Sequence, residues 1–163
     1  MTVAEDSSGV RRNRGARTKG RVLAVQLVYS YEQNRYQDDC QFVPEEDLRN
    51  VDEEGRTFAF SLFELFKAQR PAVDSAIDKR LVNWTISRLA VIDRAILRLG
   101  AVELLYCHDT PHKVAINEYI ELAKRYGTEA NTARLVNGVL DRIAKDNKGG
   151  SLADNAPPPA AAK

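Results

Sequence analysis

Apolar residues recur every three or four positions along most of the chain, which is the spacing of an α-helix with one buried face. The first such stretch follows Arg21. Later stretches with the same spacing cover residues 48–66, 73–81, 89–99, 115–123 and 135–143. No stretch shows the period of two that a half-buried β-strand requires. The sequence therefore predicts an all-α protein with about six or seven helices and no sheet.

Proline, glycine and polar residues predict where these helices end. We expect a loop at residues 37–46 and a helix break at Pro71, which suits the first turn of a new helix. The stretch CHDTP, residues 107–111, predicts another loop. The helix after it is expected over residues 113–126, with Gly127 as a left-handed C-cap.

Both ends of the chain differ in composition from its middle. Residues 1–13 are polar and lack apolar periodicity, and residues 148–163 are rich in proline and alanine. Such segments do not bury enough apolar surface to offset the entropy of ordering. We therefore expect a disordered N-terminal extension, a single all-helical domain over residues 14–147 and a disordered C-terminal tail.

Positive charge is concentrated in one arm, residues 11–21 (RRNRGARTKGR), which holds six Lys or Arg and no acid. The whole chain has 24 basic and 23 acidic side chains, so 18 basic ones remain against 23 acidic ones outside the arm. This asymmetry favours a polyanionic partner, and six neutralised phosphates of a single strand would give a salt slope of about −4. A frayed, solvated helix start explains the same composition, so charge alone leaves both interpretations open.

A second group of basic and aromatic residues lies near the far end of the helical region: Lys124, Arg125, Tyr126, Asn131 and Arg134. If Tyr126 is exposed at its helix end, its ring offers a stacking surface worth about 1–3 kcal/mol per base. The alternative is that Tyr126 packs against the following helix.

Signatures of catalysis and of metal binding are missing from the sequence. Cys107, His108, Asp109 and His112 are ligand types that zinc accepts, but these are the two histidines of the chain, and the other cysteine, Cys40, stands alone. We interpret the segment as a loop. There is also no nucleophile elbow and no glycine-rich phosphate loop. The sequence predicts a binding protein that is not an enzyme and has no cofactor and no metal.

The cellular compartment is also predicted from the composition. No apolar run reaches the roughly 20 residues of a membrane span, and the acidic N-terminus does not look like a signal peptide. Two distant cysteines suit a reducing compartment. We expect a cytoplasmic protein without membrane contact.

Two sequence blocks resemble the NusB family of bacterial transcription antitermination factors. The first is HKVAINEYIELAKRYGTE, with VAINE at 114–118 and ELAK at 121–124. The second is RLVNGVLDRIAK, with VNGVLD at 136–141. RGARTKGRVLAVQLVYSY is similar to the arm and first helix of the family, and VIDRAILRLGAVELLY to a later helix. The resemblance is collinear over residues 14–145.

The resemblance implies an all-helical fold of two packed three-helix subdomains, which we expect to divide near residue 83, and no catalysis. It implies that the chain binds the boxA element of the nascent ribosomal RNA leader together with the ribosomal protein NusE. That assembly joins the RNA polymerase antitermination complex and promotes read-through of ribosomal RNA operons. The RNA contacts implied are Arg14, Arg17, Thr18, Lys19, Arg21, Tyr126, Asn131, Arg134 and Leu135, the last in place of the usual Phe. The positions implied for NusE are Tyr29, Gln33 and Asp93.

Other interpretations fit the same helical pattern. The chain is alternatively a free-standing helical module that binds a protein and no specific RNA. A related helical domain precedes the catalytic domain of some ribosomal RNA cytosine methyltransferases, but we expect no Rossmann-type domain in this sequence. Homodimerisation of the free protein is left open.

Overall fold

The computed structural model describes residues 3–37 and 43–148, and the side chains of residues 15–37 and 43–147 within them. This part of the chain forms helices and no strand, so the predicted all-α class is confirmed. The α-helices are α1 (Val3–Gln33), α2 (Glu45–Arg49), α3 (Glu53–Asp78), α4 (Val91–Tyr106), α5 (His112–Tyr126) and α6 (Thr132–Lys148), and Ile86–Arg88 form a turn of 3-10 helix. None of the described helices is long and apolar enough to cross a membrane.

The chain divides into two compact units, Met1–Glu64 and Leu65–Lys163, here called the first and second units. The boundary between these units lies inside α3 and not near residue 83, where we expected the subdomains to divide. The segment around residue 83 is tied into the second unit, because the Ile86 N–H donates to Asp78 Oδ1 at 2.7 Å. Nearby, the Arg80 guanidinium contacts the Asp146 carboxylate at 2.7 Å.

Pro71 lies inside α3, so the predicted helix break is also wrong. A proline removes one helical hydrogen bond and crowds the preceding turn, at a cost of about 3 kcal/mol. Phe66, Val73 and Ile77 are nevertheless fully buried at spacings that keep them on one helical face. Burying side chains of this size contributes about 1.5–3 kcal/mol each, which outweighs the cost of the proline.

The start of the chain differs from the sequence prediction as well. Helix α1 begins at Val3, so residues 3–13, expected to be disordered, belong to it. No proline interrupts this stretch, so every residue in it keeps the backbone N–H that a helix uses. At the other end α6 includes Lys148, and the rest of the predicted tail, 149–163, lies outside the described residues.

Gly127 ends α5 with an extended backbone (φ −60°, ψ 145°), not with the left-handed conformation that we predicted. Space explains why a glycine is needed here. A Cβ at this position would meet the Ala123 carbonyl oxygen and would lie 2.8 Å from Thr132 Cβ. The glycine therefore allows the chain to turn closely past the start of α6.

Each unit has its own apolar core. In the first unit the most deeply buried side chains come from α1 and α3: Leu23, Ala24, Leu27, Val28, Ala59, Leu62 and Phe63. In the second unit they come from α3 to α6: Phe66, Val73, Ile77, Ile96, Leu97, Leu99, Tyr119, Val136, Leu140 and Ile143. Arg98 in α4 also forms a two-pronged ion pair with Asp74 in α3, at 2.8 and 2.9 Å.

Two glycines bring α1 and α3 into backbone contact in the first unit. A Cβ on Gly20 would lie 2.6 Å from the Gly55 carbonyl oxygen, and one on Gly55 would lie 2.6 Å from the Ala16 carbonyl oxygen. Real Cβ atoms do not approach this closely, and a backbone oxygen does not move aside without displacing its helix. The Gly20–Gly55 crossing therefore fixes the basic arm of α1 against α3.

We predict that Gly20→Ala lowers the free energy of unfolding by about 1–2 kcal/mol. Overpacking costs about 1–3 kcal/mol, and the better helix propensity of alanine recovers at most about 1 kcal/mol. Gly15→Ala is the matched control, because it lies in the same helix with nothing within 4 Å of a built Cβ. It is expected to stabilise by up to about 1 kcal/mol. Urea unfolding followed by circular dichroism measures the free energy of unfolding of both variants. Equal effects would contradict the close backbone contact at the Gly20–Gly55 crossing.

Candidate RNA interface

The basic arm is part of the ordered helix α1, and its side chains differ in exposure. Thr18 and Lys19 are exposed, Arg17 is half-buried, and Arg21 is only 2% exposed. Arg14 lies in the same helix, but its side chain is outside the described part. The arm therefore presents some of its predicted RNA contacts to solvent and holds others inside.

The two less exposed arginines pack on one aromatic ring of α3. The guanidinium carbon lies 4.9 Å from the centroid of Phe58 for Arg17 and 5.2 Å for Arg21. A cation over an aromatic face gains about 0.5–2 kcal/mol, depending on how far it is desolvated. Because Arg21 is buried in this arrangement, its position does not support the predicted contact with RNA, whereas Lys19 and Arg17 remain at the surface.

The second group of predicted RNA contacts surrounds the connection from α5 to α6. Tyr126 is 36% exposed, and the guanidinium carbon of Arg125 lies 5.1 Å from its ring centroid. Asn131 and Arg134 are exposed, and Leu135 is half-buried. The structure thus brings Asn131, Arg134 and Leu135 together, because all three line one cavity of the second unit, and it leaves part of the Tyr126 ring open to a ligand.

Asp93, which we expected to contact a protein partner, is almost completely buried. The side chain is 4% exposed. Its carboxylate accepts hydrogen bonds from the Thr128 N–H at 3.0 Å and from the Thr128 hydroxyl at 2.6 Å. The Thr132 hydroxyl, 3.4 Å away, completes the group and itself accepts from the Glu129 N–H at 3.1 Å. Asp93 therefore fastens the α5–α6 connection to the first turn of α4.

The other two positions predicted for the protein partner share one face of α1. Tyr29 is 41% exposed and Gln33 is exposed one helical turn later. Residues four apart on a helix are neighbours at its surface. This face belongs to the first unit.

Two neighbouring cavities open beside the α5–α6 connection. The first, of about 410 Å³, is here called the Trp84 cavity and is lined by Trp84, Arg88, Leu89, Ala90, Asp93, Thr128, Glu129, Asn131, Thr132 and Leu135. The second, of about 330 Å³, is here called the arginine groove and is lined by Arg80, Val82, Asn131, Arg134, Leu135, Gly138, Val139 and Arg142. Asn131 and Leu135 line both, so they form the rim between them.

Trp84 is the residue of this surface that sequence reasoning missed. It is 55% exposed and lies in the segment between α3 and α4. Periodicity does not identify such a residue, because it has no helical neighbours with which to form a stripe. The one sequence signal was a lone tryptophan in a polar segment.

The segment with zinc-ligand types has no metal-binding arrangement in the described part of the chain. Cys107, His108 and Asp109 lie in the connection between α4 and α5, and His112 begins α5. Among the described residues, no group of three or more His, Cys, Asp or Glu could hold a metal ion. Cys40 lies outside the described residues.

We predict that Asp93→Asn lowers the free energy of unfolding by about 2 kcal/mol, because hydrogen bonds to a charged group contribute about 1.5–3 kcal/mol. The control is Asp141→Asn in α6, whose carboxylate pairs with Lys145 at 2.9 Å and is 48% exposed. An exposed pair of this kind contributes at most about 1 kcal/mol. Urea unfolding compares the two variants, and an equally small loss in both would contradict the role assigned to Asp93.

Comparison with known proteins places these features in one family. A family model described as the NusB family matches residues 18–145. The transcription antitermination protein NusB of Pseudothermotoga lettingae is 36% identical over 135 residues, which is 79% of this chain and 91% of that protein. The protein of the same name from Myxococcus xanthus is 38% identical over 134 residues, 80% of this chain and 95% of that protein.

Solved structures agree with the sequence comparison. The structure of T. maritima NusB aligns with a TM-score of 0.69 at 36% identity, covering 80% of this chain and 91% of that one. A chain from the crystal structure of a plectonemic RNA supercoil also aligns with a TM-score of 0.69, at 25% identity, covering 83% of this chain and 99% of that one. Because the family model and these relatives span most of the sequence, the chain belongs to the NusB family.

Proposed function

We propose that this protein is a transcription antitermination factor that binds the boxA element of the nascent ribosomal RNA leader together with NusE. The observation that carries the proposal is the exposure of Tyr126, Asn131 and Arg134 in and beside the α5–α6 connection, which Asp93 fastens. Curated relatives of the chain are named transcription antitermination proteins, and one structural relative comes from a crystal structure that contains RNA. In this role the protein acts by binding and not by catalysis.

The two basic surfaces have different tasks in this proposal. Lys19 and Arg17 on α1 and Arg134 on α6 contact phosphates, which supplies affinity without sequence preference. Tyr126 stacks on a base and Asn131 offers an amide for a base edge, so sequence preference comes from the α5–α6 connection. An ordered helix loses less conformational entropy on binding than a disordered arm does.

The face for NusE is proposed at Tyr29 and Gln33 on α1. Tyrosine is favoured at protein interfaces because it buries a large apolar ring and retains a polar tip. Asp93 is not included in this proposed face, because its side chain is buried. A partner that contacts both the protein and the RNA raises the apparent RNA affinity, and the resulting assembly is the part that joins the RNA polymerase complex.

We predict that fluorescence anisotropy detects preferential binding of a labelled boxA-like RNA over a scrambled one, and that NusE strengthens it. Lys19→Ala and Arg134→Ala should each weaken binding and reduce the salt slope by about 0.7, the value for one phosphate contact on a single strand. Lys113→Ala is the control of equal charge. Lys113 is exposed at the opposite end of α5 from Tyr126, and its loss should leave the slope unchanged.

The same titrations distinguish the alternative function. If both RNAs bind equally weakly with and without NusE, and if Lys19→Ala and Lys113→Ala behave alike, the proposal is wrong. A helical module that binds only a protein partner would then be the better account, and loss of NusE binding in Tyr29→Ala would identify its surface.

A further inference from the structure

The connection between α3 and α4 presents large apolar side chains to solvent. Val82 is 66% exposed and Trp84 is 55% exposed. Between them Asn83 adopts a left-handed backbone (φ 63°), a conformation that asparagine tolerates better than most residues and that still has an energetic cost. A strained turn that exposes a tryptophan indicates a binding surface, because burial of this ring would otherwise be favourable.

This connection is held by buried polar contacts on its inner side. The Ile86 N–H donates to Asp78 Oδ1 at 2.7 Å. Arg94, only 9% exposed, donates through Nη1 to the carbonyl oxygens of Leu89 at 2.6 Å and of Ile86 and Ser87 at 3.2 Å each. The tryptophan therefore lies on a segment whose backbone is fixed before any ligand arrives.

Another wall of the Trp84 cavity is held by Asp93, which precedes Arg94 in α4. Asp93 holds Thr128 and Thr132, and both line the cavity with Leu135. Two consecutive buried residues at the start of α4 thus position both walls. A ligand that enters a cavity already formed pays little entropy for ordering it.

The charges around the cavity favour an anionic ligand. Arg88 lines it, and Arg134 lies across the rim in the arginine groove. Both side chains are exposed, and no described residue accepts a hydrogen bond from either guanidinium. Two acids line the Trp84 cavity. Asp93 is buried and hydrogen-bonded to the two threonines, so Glu129 is the acid of this lining that is exposed to solvent. An exposed aromatic ring that shares a cavity with one unpaired arginine and has a second in the adjoining groove matches a single-stranded nucleic acid, whose bases stack and whose phosphates need cations.

We propose that Trp84 is a base-stacking platform and that the Trp84 cavity receives an unpaired nucleotide base of the bound RNA. The phosphates that flank this base lie at Arg88 and Arg134. This inference rests on the proposed function, in that it extends the RNA surface beyond the α5–α6 connection to the α3–α4 connection. A protein ligand at this site would need acidic side chains to match the arginines, and it is treated as the competing outcome.

Intrinsic fluorescence tests the proposal directly, because Trp84 is the one tryptophan of the 163 residues. Titration with an unlabelled boxA-like RNA should quench its emission and shield it from acrylamide, with the same midpoint as the anisotropy of the labelled RNA. Trp84→Leu should weaken RNA binding about 5- to 150-fold, the range expected for one lost stacking contact. Trp84→Phe retains a ring and should lose much less.

Phe60→Leu is the matched control, since Phe60 is a 39% exposed aromatic residue of the first unit, and RNA affinity should not change. RNA binding without quenching, together with wild-type affinity in Trp84→Leu, would overturn the inference and leave the proposed function intact. Quenching by NusE alone would overturn it in favour of a protein surface. Absence of all RNA binding would overturn both proposals. If Trp84→Leu does not fold, wild-type quenching and Trp84→Phe still decide the question.

Discussion

The surface of the second unit depends on two consecutive buried charges, Asp93 and Arg94, in the first turn of α4. Burying an ionised group is costly unless hydrogen bonds replace its water, and here each group is bonded mainly to loop backbone or loop hydroxyl groups. Asp93 holds the connection from α5 to α6, and Arg94 holds the connection from α3 to α4. Loops that would otherwise move are thereby attached to a core helix, and the cavity between them keeps its shape.

In the first unit the basic surface is held in place by close helix packing and not by buried charges. Gly20 and Gly55 allow α1 and α3 to meet at backbone distance, and the Phe58 ring then lies under Arg17 and Arg21. The basic arm thus continues a packed helix and is not a free tail. The arm leads directly into an apolar stretch because the same helix that is anchored in a core also carries Lys19 to the surface.

Helix periodicity predicted most of the fold, because long apolar stripes survive local exceptions. The prediction failed at single residues whose effect on the backbone depends on the packing around them. Pro71 remains inside α3 because burial on either side outweighs its cost, and Gly127 is required by space and not by its backbone angles. The candidate site was predicted less completely, since an acid that contacts a partner and an acid that fastens a loop, such as Asp93, look alike in one sequence. Trp84 has no pattern around it, and its exposure appears only in three dimensions.

The central claim is that RNA lies on the preformed cavity of the second unit. Photo-crosslinking of a boxA-like RNA carrying 4-thiouridine, followed by mass spectrometry of the linked peptides, tests this most directly. The account predicts crosslinks in the connection that contains Trp84 and in the segment from Tyr126 to Leu135, in addition to those near Lys19. Crosslinks confined to α1, with none on either wall of the Trp84 cavity, would contradict it.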